Sequence, residues 1–127
     1  MKDITYEVIG CAYEVYNALG PGLLERVYQK ALTIELEKYG FLVKAEVPVR
    51  INYKGVSLGD DLRIDLLVND SLILELKSVE KVTDLHKKQL LTYLRLTDQP
   101  LGLLINFNET HLKDGIIRIV NNYKESE

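Results

Sequence analysis

Two carboxylates and one ammonium group near the middle of the chain could together hold a divalent cation and act on a phosphate. They belong to Asp65, Glu75 and Lys77. Carboxylate oxygens are hard ligands that suit Mg²⁺ or Mn²⁺, and water or a phosphate oxygen can complete the octahedral shell. A neighbouring ammonium can orient a water molecule or neutralise charge that develops on a phosphate. This chemistry requires a fold that brings the three side chains together.

Two predicted strands joined at residues 69–71 carry these side chains, and the register of their pairing decides which residues meet. A two-residue loop would pair Asp65 with Leu74 and would mix charges with leucines on both faces. A three-residue loop pairs Asp65 with Glu75 and separates the two kinds of side chain. One face then comprises Ile64, Leu66, Val68, Leu72, Leu74 and Leu76. The other face comprises Arg63, Asp65, Leu67, Ile73, Glu75 and Lys77. Because a one-residue slip moves every side chain to the opposite face, burial favours the three-residue loop.

In this register the two acids become direct neighbours across the strands. The Cβ atoms of Asp65 and Glu75 would lie roughly 5 Å apart, and such facing like charges are destabilising. A cation between them would remove the repulsion, with Lys77 two residues further along the same face. The alternative is a solvated face on which Lys77 simply neutralises Glu75, because charged residues are common on exposed sheet faces.

The elements that must position these residues follow from the spacing of apolar side chains and from the turn residues. The predicted order is ααβββαβ and then a final short strand or helix. The first helix begins near Asp3 as its cap and ends before Gly20-Pro21-Gly22. The remaining elements are expected at about Leu23–Tyr39, Val43–Tyr53, Leu62–Val68, Leu72–Ser78, Asp84–Thr97, Leu101–Phe107 and Ile116–Val120. The apolar stripes predicted for the later helices include Leu24, Val27 and Leu85.

Composition predicts one α/β domain spanning residues 1–127, since this length can bury a core without disulfide support. Cys11 is the only cysteine. No apolar run approaches the roughly 20 residues that a membrane span needs, and the first ten residues do not resemble a signal peptide. The cytoplasm is therefore the expected compartment. The net charge of −3 counts against a surface that grips nucleic acid everywhere, but it leaves room for a local basic groove.

Two motifs and two further segments resemble one known family. Asp65…Glu75-Leu76-Lys77 matches a D…ExK signature, and Gly22-Leu23-Leu24-Glu25-Arg26-Val27-Tyr28 reads as GxxExxY. The segments 89–94 (QLLTYL) and 102–107 (GLLINF) are also similar to that family. From about Ile4 to Val120, the chain thus resembles the GxxExxY family of the PD-(D/E)XK nuclease superfamily.

The resemblance implies a restriction-endonuclease-like core, in which helices flank a mixed central sheet. It implies a metal site at Glu25, Asp65, Glu75 and the main-chain carbonyl of Leu76. Lys77 would be the catalytic lysine, and Gln89 would hold phosphate or orient Lys77.

Two of these assignments have simpler alternatives. Glu25 could only hydrogen-bond the phenol of Tyr28, which lies three residues later on the same helix face. Gln89 could only cap nearby backbone.

The function that follows from the resemblance is metal-dependent hydrolysis of phosphodiester bonds in nucleic acid, with DNA as the expected substrate and Mg²⁺ or Mn²⁺ as cofactor. The alternative is a non-catalytic nucleic-acid-binding or accessory module that retains the fold, which the short chain and acidic balance favour. The sequence has no Gly-rich phosphate loop that would support a small-molecule phosphohydrolase. A homodimer is a further hypothesis, because pairing would enlarge the footprint of so small a domain.

Overall fold

The computed structural model describes residues 3–59 and 62–122, so the ends of the predicted 1–127 domain lie outside the described residues. Its elements, in chain order, are α1 (Thr5–Leu19), α2 (Glu25–Tyr39), β1 (Val43–Val49), β2 (Asn52–Tyr53), β3 (Val56–Ser57), β4 (Leu62–Val68), β5 (Leu72–Lys77), α3 (Asp84–Leu96), β6 (Leu101–Asn106), a 3₁₀ turn (Leu112–Gly115) and β7 (Ile116–Val120). None of the helices in these two ranges has the length and apolar character needed to cross a membrane.

The five longer strands form one mixed sheet in the order β1-β4-β5-β6-β7. The pair β5–β6 is parallel, with α3 in the connection between them, and the other neighbouring strands are antiparallel. One core cluster contains the buried side chains of α1 and α2, and the second contains Leu90 and Leu94 of α3. The predicted fold class, a mixed sheet flanked by helices, is therefore confirmed.

The turn between α1 and α2 depends on two glycines with positive φ. Gly20 has φ +69° and Gly22 has φ +99°, a region that side-chain-bearing residues rarely adopt. The helix α2 begins at Glu25, two residues later than predicted, with Leu24 as its extended N-cap residue. At the start of α1, Ile4 holds the N-cap position, and the Asp3 carboxylate accepts a hydrogen bond from the Thr5 amide at 2.9 Å.

Three predicted core contacts at helix starts are wrong. Leu24 is 63% exposed, Val27 is 37% exposed and Leu85 is 62% exposed. Each lies in or beside the first turn of its helix. The helical period assigns residues to one face of a helix, but it carries no information about where along its length a helix meets its neighbours.

The predicted strand at Val43–Tyr53 is divided into β1 and the short strand β2, which pairs with β3 around the predicted Lys54-Gly55 turn. β1 is an edge strand, as the proline at position 48 indicated. The interior strand β6 is buried on both faces, as its continuous apolar run predicted.

The faces of β1 and β4 change partway along their shared ladder, which the sequence pattern did not predict. Ile64 packs in the second core cluster, whereas Leu66 packs in the first, although even positions of an ordinary strand share one face. The change occurs where Glu46 stands opposite Asp65: the pairing is interrupted there, and Glu46 has a left-handed φ of +52°. The prediction of a single apolar face that includes Ile64 is therefore wrong.

Candidate active site

The β4–β5 hairpin has the register that burial predicted. Val68 pairs with Leu72 across a three-residue loop, and the ladder continues to Leu66 and Leu74. The next position in this register places Asp65 opposite Glu75. The regular ladder ends just before this position, so the two acids lie where the strands begin to separate.

At this point side-chain oxygens take the place of main-chain hydrogen-bond partners. The Asp65 amide donates to Oε1 of Glu75 at 3.3 Å, and Oδ2 of Asp65 accepts from the Leu76 amide at 2.8 Å. Each carboxylate therefore satisfies a backbone donor on the opposite strand. This reciprocal bonding fixes the orientation of both acids without any other side chain.

Burial makes the pair electrostatically unfavourable in its doubly charged form. Glu75 is only 8% exposed, so the alternative of a solvated salt-bridge face does not describe it. Burial, followed by the charge of Asp65, raises the pKa of Glu75 from its ordinary value of 4.5 to about 8, although Lys77 opposes the shift. Direct ion pairs in the described ranges lie elsewhere, at Lys44–Asp70, Lys87–Asp84 and Arg118–Asp3.

Asp65 stands in a wider acidic environment. Burial raises its pKa, and the hydrogen bond from the Leu76 amide and the charge of Lys77 oppose that rise. The charges of Glu25 and Glu46 raise the pKa of Asp65 further, which places both glutamates close enough to act on it. Glu46 was not among the sequence-predicted site residues. Its position opposite Asp65 depends on the pairing of β1 with β4, and nothing in the local pattern signals this contact.

Glu25 lies near Asp65, and the loop that precedes Glu25 is held at two points. The Tyr28 hydroxyl donates to the Gly20 carbonyl at 2.6 Å and accepts from the Leu23 amide at 3.1 Å. The Ser78 hydroxyl, just beyond β5, donates to the Leu23 carbonyl. The Tyr28 phenol is thus occupied by the loop backbone, and the alternative in which Glu25 merely holds that phenol is not what the structure contains.

Tyr28 also anchors the start of α2 in the core. Its ring is fully buried and stacks on the Phe107 ring, with centroids 4.4 Å apart and planes 6° from parallel. The glycine, the glutamate and the tyrosine of the GxxExxY segment therefore have distinct physical roles: Gly22 forms the turn, Glu25 carries the charge and Tyr28 anchors the helix in the core.

The end of the β5 strand is braced from β6 by Asn106. This side chain is fully buried and bonds both main-chain groups of Val79, accepting from its amide at 3.1 Å and donating to its carbonyl at 2.9 Å. The segment that follows Lys77 is therefore held in place. Sequence reasoning gave no role to Asn106, whose polar character in an apolar run was the only available signal.

The helix α3 contributes Tyr93 to the surroundings of the acids. Burial raises the pKa of the Tyr93 phenol, and the charges of Glu75 and Asp65 raise it further. Gln89 lies one turn earlier on the same helix and is exposed. No hydrogen bond within the described part of the chain joins Gln89 to Lys77, so a shared task for these two residues stays a prediction.

The donor set at the hairpin suits a hard divalent cation. The carboxylates of Asp65 and Glu75 face each other, and the single positive charge of Lys77 does not balance their two negative charges. The Leu76 amide points toward Asp65. In an extended strand the carbonyl of a residue points the same way as its amide, so the Leu76 carbonyl faces that side too. Across residues 3–59 and 62–122, no three His, Cys, Asp or Glu side chains converge closely enough to hold a metal alone. A main-chain oxygen and water would therefore have to complete the shell.

One comparison with known protein families gives a match over most of the chain. A family model described as the PD-(D/E)XK nuclease superfamily matches residues 2–119, a range that includes every candidate site residue. No curated protein and no solved structure matches the chain significantly. The match reaches the level of the superfamily and does not test the GxxExxY branch that the motifs indicate.

Proposed function

Because the chain belongs to the PD-(D/E)XK nuclease superfamily, we propose that it is a metal-dependent nuclease of the GxxExxY branch. It would hydrolyse phosphodiester bonds in nucleic acid, with DNA as the expected substrate. The observation that supports this proposal most strongly is the pair formed by half-buried Asp65 and buried Glu75, held face to face beside Lys77 where β4 and β5 separate.

The proposed metal ligands are Asp65, Glu75, the Leu76 carbonyl and, from the start of α2, Glu25. When bound, Mg²⁺ or Mn²⁺ would supply Lewis-acid polarisation of the scissile phosphate and a water molecule of lowered pKa. Folding holds the carboxylates in place in advance, since each accepts a hydrogen bond from backbone of the opposite strand. No rearrangement of these two side chains is then needed on binding.

Lys77 would contact the substrate or the attacking water rather than stabilise the folded protein. Its ammonium is attracted to both acids, and Asn106 holds the segment that follows it. From this position it would orient the attacking water or stabilise negative charge on the phosphate. Gln89, on the exposed surface of α3, would bind a neighbouring phosphate of the strand.

A second candidate is a nucleic-acid-binding or accessory module without turnover. The net charge of −3 favours it, since a nuclease that must grip an extended polyanion usually presents more positive charge. A cytoplasmic location stays a prediction under either candidate.

The deciding experiment measures metal binding and cleavage on the same preparations. Mg²⁺ and Mn²⁺ would be titrated by calorimetry into wild type and into an Asp65→Asn, Glu75→Gln double variant. Linear, branched and single-stranded DNA would be tested for cleavage in parallel. The matched control is an Asp70→Asn, Glu37→Gln variant, which changes the net charge equally at two exposed positions.

Loss of both metal binding and cleavage in the double variant, with the control unchanged, supports the nuclease. Metal binding and DNA binding by wild type without cleavage of any of the three substrates would support the accessory module. Absence of metal binding by wild type, with or without DNA, would contradict the metal site.

We also propose that two copies associate, because a second copy would extend a short contact surface along the nucleic acid. Light scattering of the purified protein measures this directly. A species of 14.5 kDa at all concentrations would contradict the dimer.

A further inference from the structure

An open groove of about 650 Å³ lies between the first two-thirds of α1 and the last turns of α2. It shares no residue with the candidate active site and therefore needs an explanation of its own. Its lining includes three tyrosines, Tyr6, Tyr13 and Tyr39. It also includes three glutamates, Glu7, Glu14 and Glu35, and among the lining residues that the structure describes Lys38 is the basic one. The groove is thus aromatic and acidic.

Gly10 on the groove wall is not explained by the fold. A Cβ atom at this position would meet nothing within 4 Å, and the residue lies inside α1 without the positive φ that requires glycine. A glycine inside a helix costs about 1 kcal/mol relative to alanine. Neither close packing nor backbone conformation offsets that cost. The missing side chain does have one consequence, which is that the groove stays open.

The groove also contains an unsatisfied acceptor. Oε2 of Glu7 is buried and has no hydrogen-bond partner among the residues that the structure describes. Buried polar atoms in folded proteins are normally paired. The negative field extends to the Cys11 thiol, whose pKa is raised by burial and further by the charges of Glu35 and Glu14. A bound cation would offset this field, and rotation of the Glu7 side chain toward the groove would give its carboxylate the missing partner.

We propose that the groove binds a basic polypeptide segment of a partner protein, with an arginine or lysine side chain directed at Glu7. The tyrosine rings would contact the cation and the aliphatic part of its side chain. Charge complementarity excludes the phosphates of nucleic acid and anionic lipid surfaces as occupants, because both would face the three glutamates.

The shape of the groove favours a polypeptide over a small molecule. Tyr6 is 85% exposed and Tyr39 is 60% exposed, so the rim is too open to enclose a ligand as small-molecule sites do. From Tyr6 to Glu14 the wall extends along α1 by about 12 Å, at 1.5 Å per residue. That length accommodates roughly four residues of an extended segment.

The test is binding of a fluorescein-labelled hexa-arginine peptide, measured by fluorescence anisotropy. The informative variant is Gly10→Leu, which fills the groove without changing the charge of the protein. Its matched control is Ala18→Leu, which adds the same side chain to an exposed position of the same helix outside the groove. Thermal unfolding verifies folding, and we expect Gly10→Leu to be at least as stable as wild type because it removes a helical glycine.

We expect Gly10→Leu to weaken binding on the order of tenfold or more, with Ala18→Leu unchanged. Glu7→Gln should also weaken binding, and Glu37→Gln, an equal charge change on the exposed surface of α2, should not. Equal affinities of wild type and Gly10→Leu would overturn the proposal, because attraction to the net charge would then account for the binding. Arginine amide that binds as tightly as the peptide would overturn the polypeptide as occupant.

Discussion

The Asp65 amide donates a hydrogen bond to the Glu75 carboxylate at 3.3 Å, and the Asp65 carboxylate accepts one at 2.8 Å from the amide that follows Glu75. The two acids are therefore part of the strand junction as well as candidate ligands. Removing either side chain would leave a backbone donor without its partner. The amides Asn and Gln keep an acceptor oxygen in place, so they separate the loss of charge from the loss of structure.

The pH dependence of stability should report the buried state of Glu75. Its pKa is raised on folding from 4.5 to about 8, so the folded state binds more protons than the unfolded state between these values. The free energy of unfolding contributed by this group therefore falls as pH rises through that window. Urea unfolding without metal, at a series of pH values, should give a steeper fall for wild type than for Glu75→Gln.

The control for this comparison is Glu37→Gln, which removes an exposed carboxyl of the same type. Its pH profile should parallel that of wild type. A wild-type profile that coincides with that of Glu75→Gln would mean that Glu75 ionises normally in the folded state.

Lys77 should affect both the acids and the reaction. Its positive charge opposes the raised pKa values of Asp65 and Glu75, so Lys77→Met should raise the pKa of Glu75 above about 8. If the proposed role is correct, cleavage should fall by a factor on the order of a hundred or more, because a group that stabilises developing charge is lost. Carboxyl NMR titration measures the first effect, and single-turnover cleavage measures the second.

The control is Lys81→Met, which removes an exposed ammonium four residues later. It should change neither quantity. Full cleavage activity in Lys77→Met would mean that Lys77 influences only the pKa values of the two acids and takes no part in the reaction.

The register of the hairpin could be predicted because burial of one face leaves a single acceptable pairing for Val68 and Leu72. The helices and the buried strand β6 could also be predicted, because the spacing of apolar residues indicates each of them. The position of Glu46 could not be predicted, because it depends on a left-handed backbone angle and on pairing with a strand distant in sequence. An alternating pattern assumes that a strand keeps its faces, and that assumption fails at this point.

The left-handed backbone conformation at Glu46 should lower the free energy of unfolding of the protein. Its φ of +52° is unfavourable for a residue with a Cβ atom. Glu46→Gly should therefore stabilise the protein by up to about 1 kcal/mol, because the relieved strain of about 1–2 kcal/mol exceeds the added entropy of the unfolded chain. Glu46→Gln is the matched variant that removes only the charge, and it should lower the pKa of Asp65 without this gain. Urea unfolding measures the difference, and a loss of stability in Glu46→Gly would contradict the argument from strain.

Asn106 should be essential for the segment that follows β5. Its side chain makes four hydrogen bonds, two of them to Val79, and it is fully buried. Asn106→Ala would remove the acceptor of the Val79 and Asn108 amides and leave a cavity at a fully buried position, and we expect a loss of about 3 kcal/mol in the free energy of unfolding. Asn17→Ala, at an exposed position of α1, should change stability little. An equally small effect of Asn106→Ala would mean that water replaces the amide.

Tyr28 should couple the stability of the core to the position of Glu25. Tyr28→Phe keeps the ring that stacks on Phe107, but it removes the hydroxyl that bonds Gly20 and Leu23. We expect a loss of about 1–2 kcal/mol in stability and weaker binding of Mn²⁺ by calorimetry, because the loop that positions Glu25 is released. Tyr39→Phe, which alters an exposed tyrosine, should change neither quantity. Lowered stability with unchanged Mn²⁺ affinity would remove Glu25 from the proposed ligand set and leave Asp65 and Glu75 as its acidic side chains.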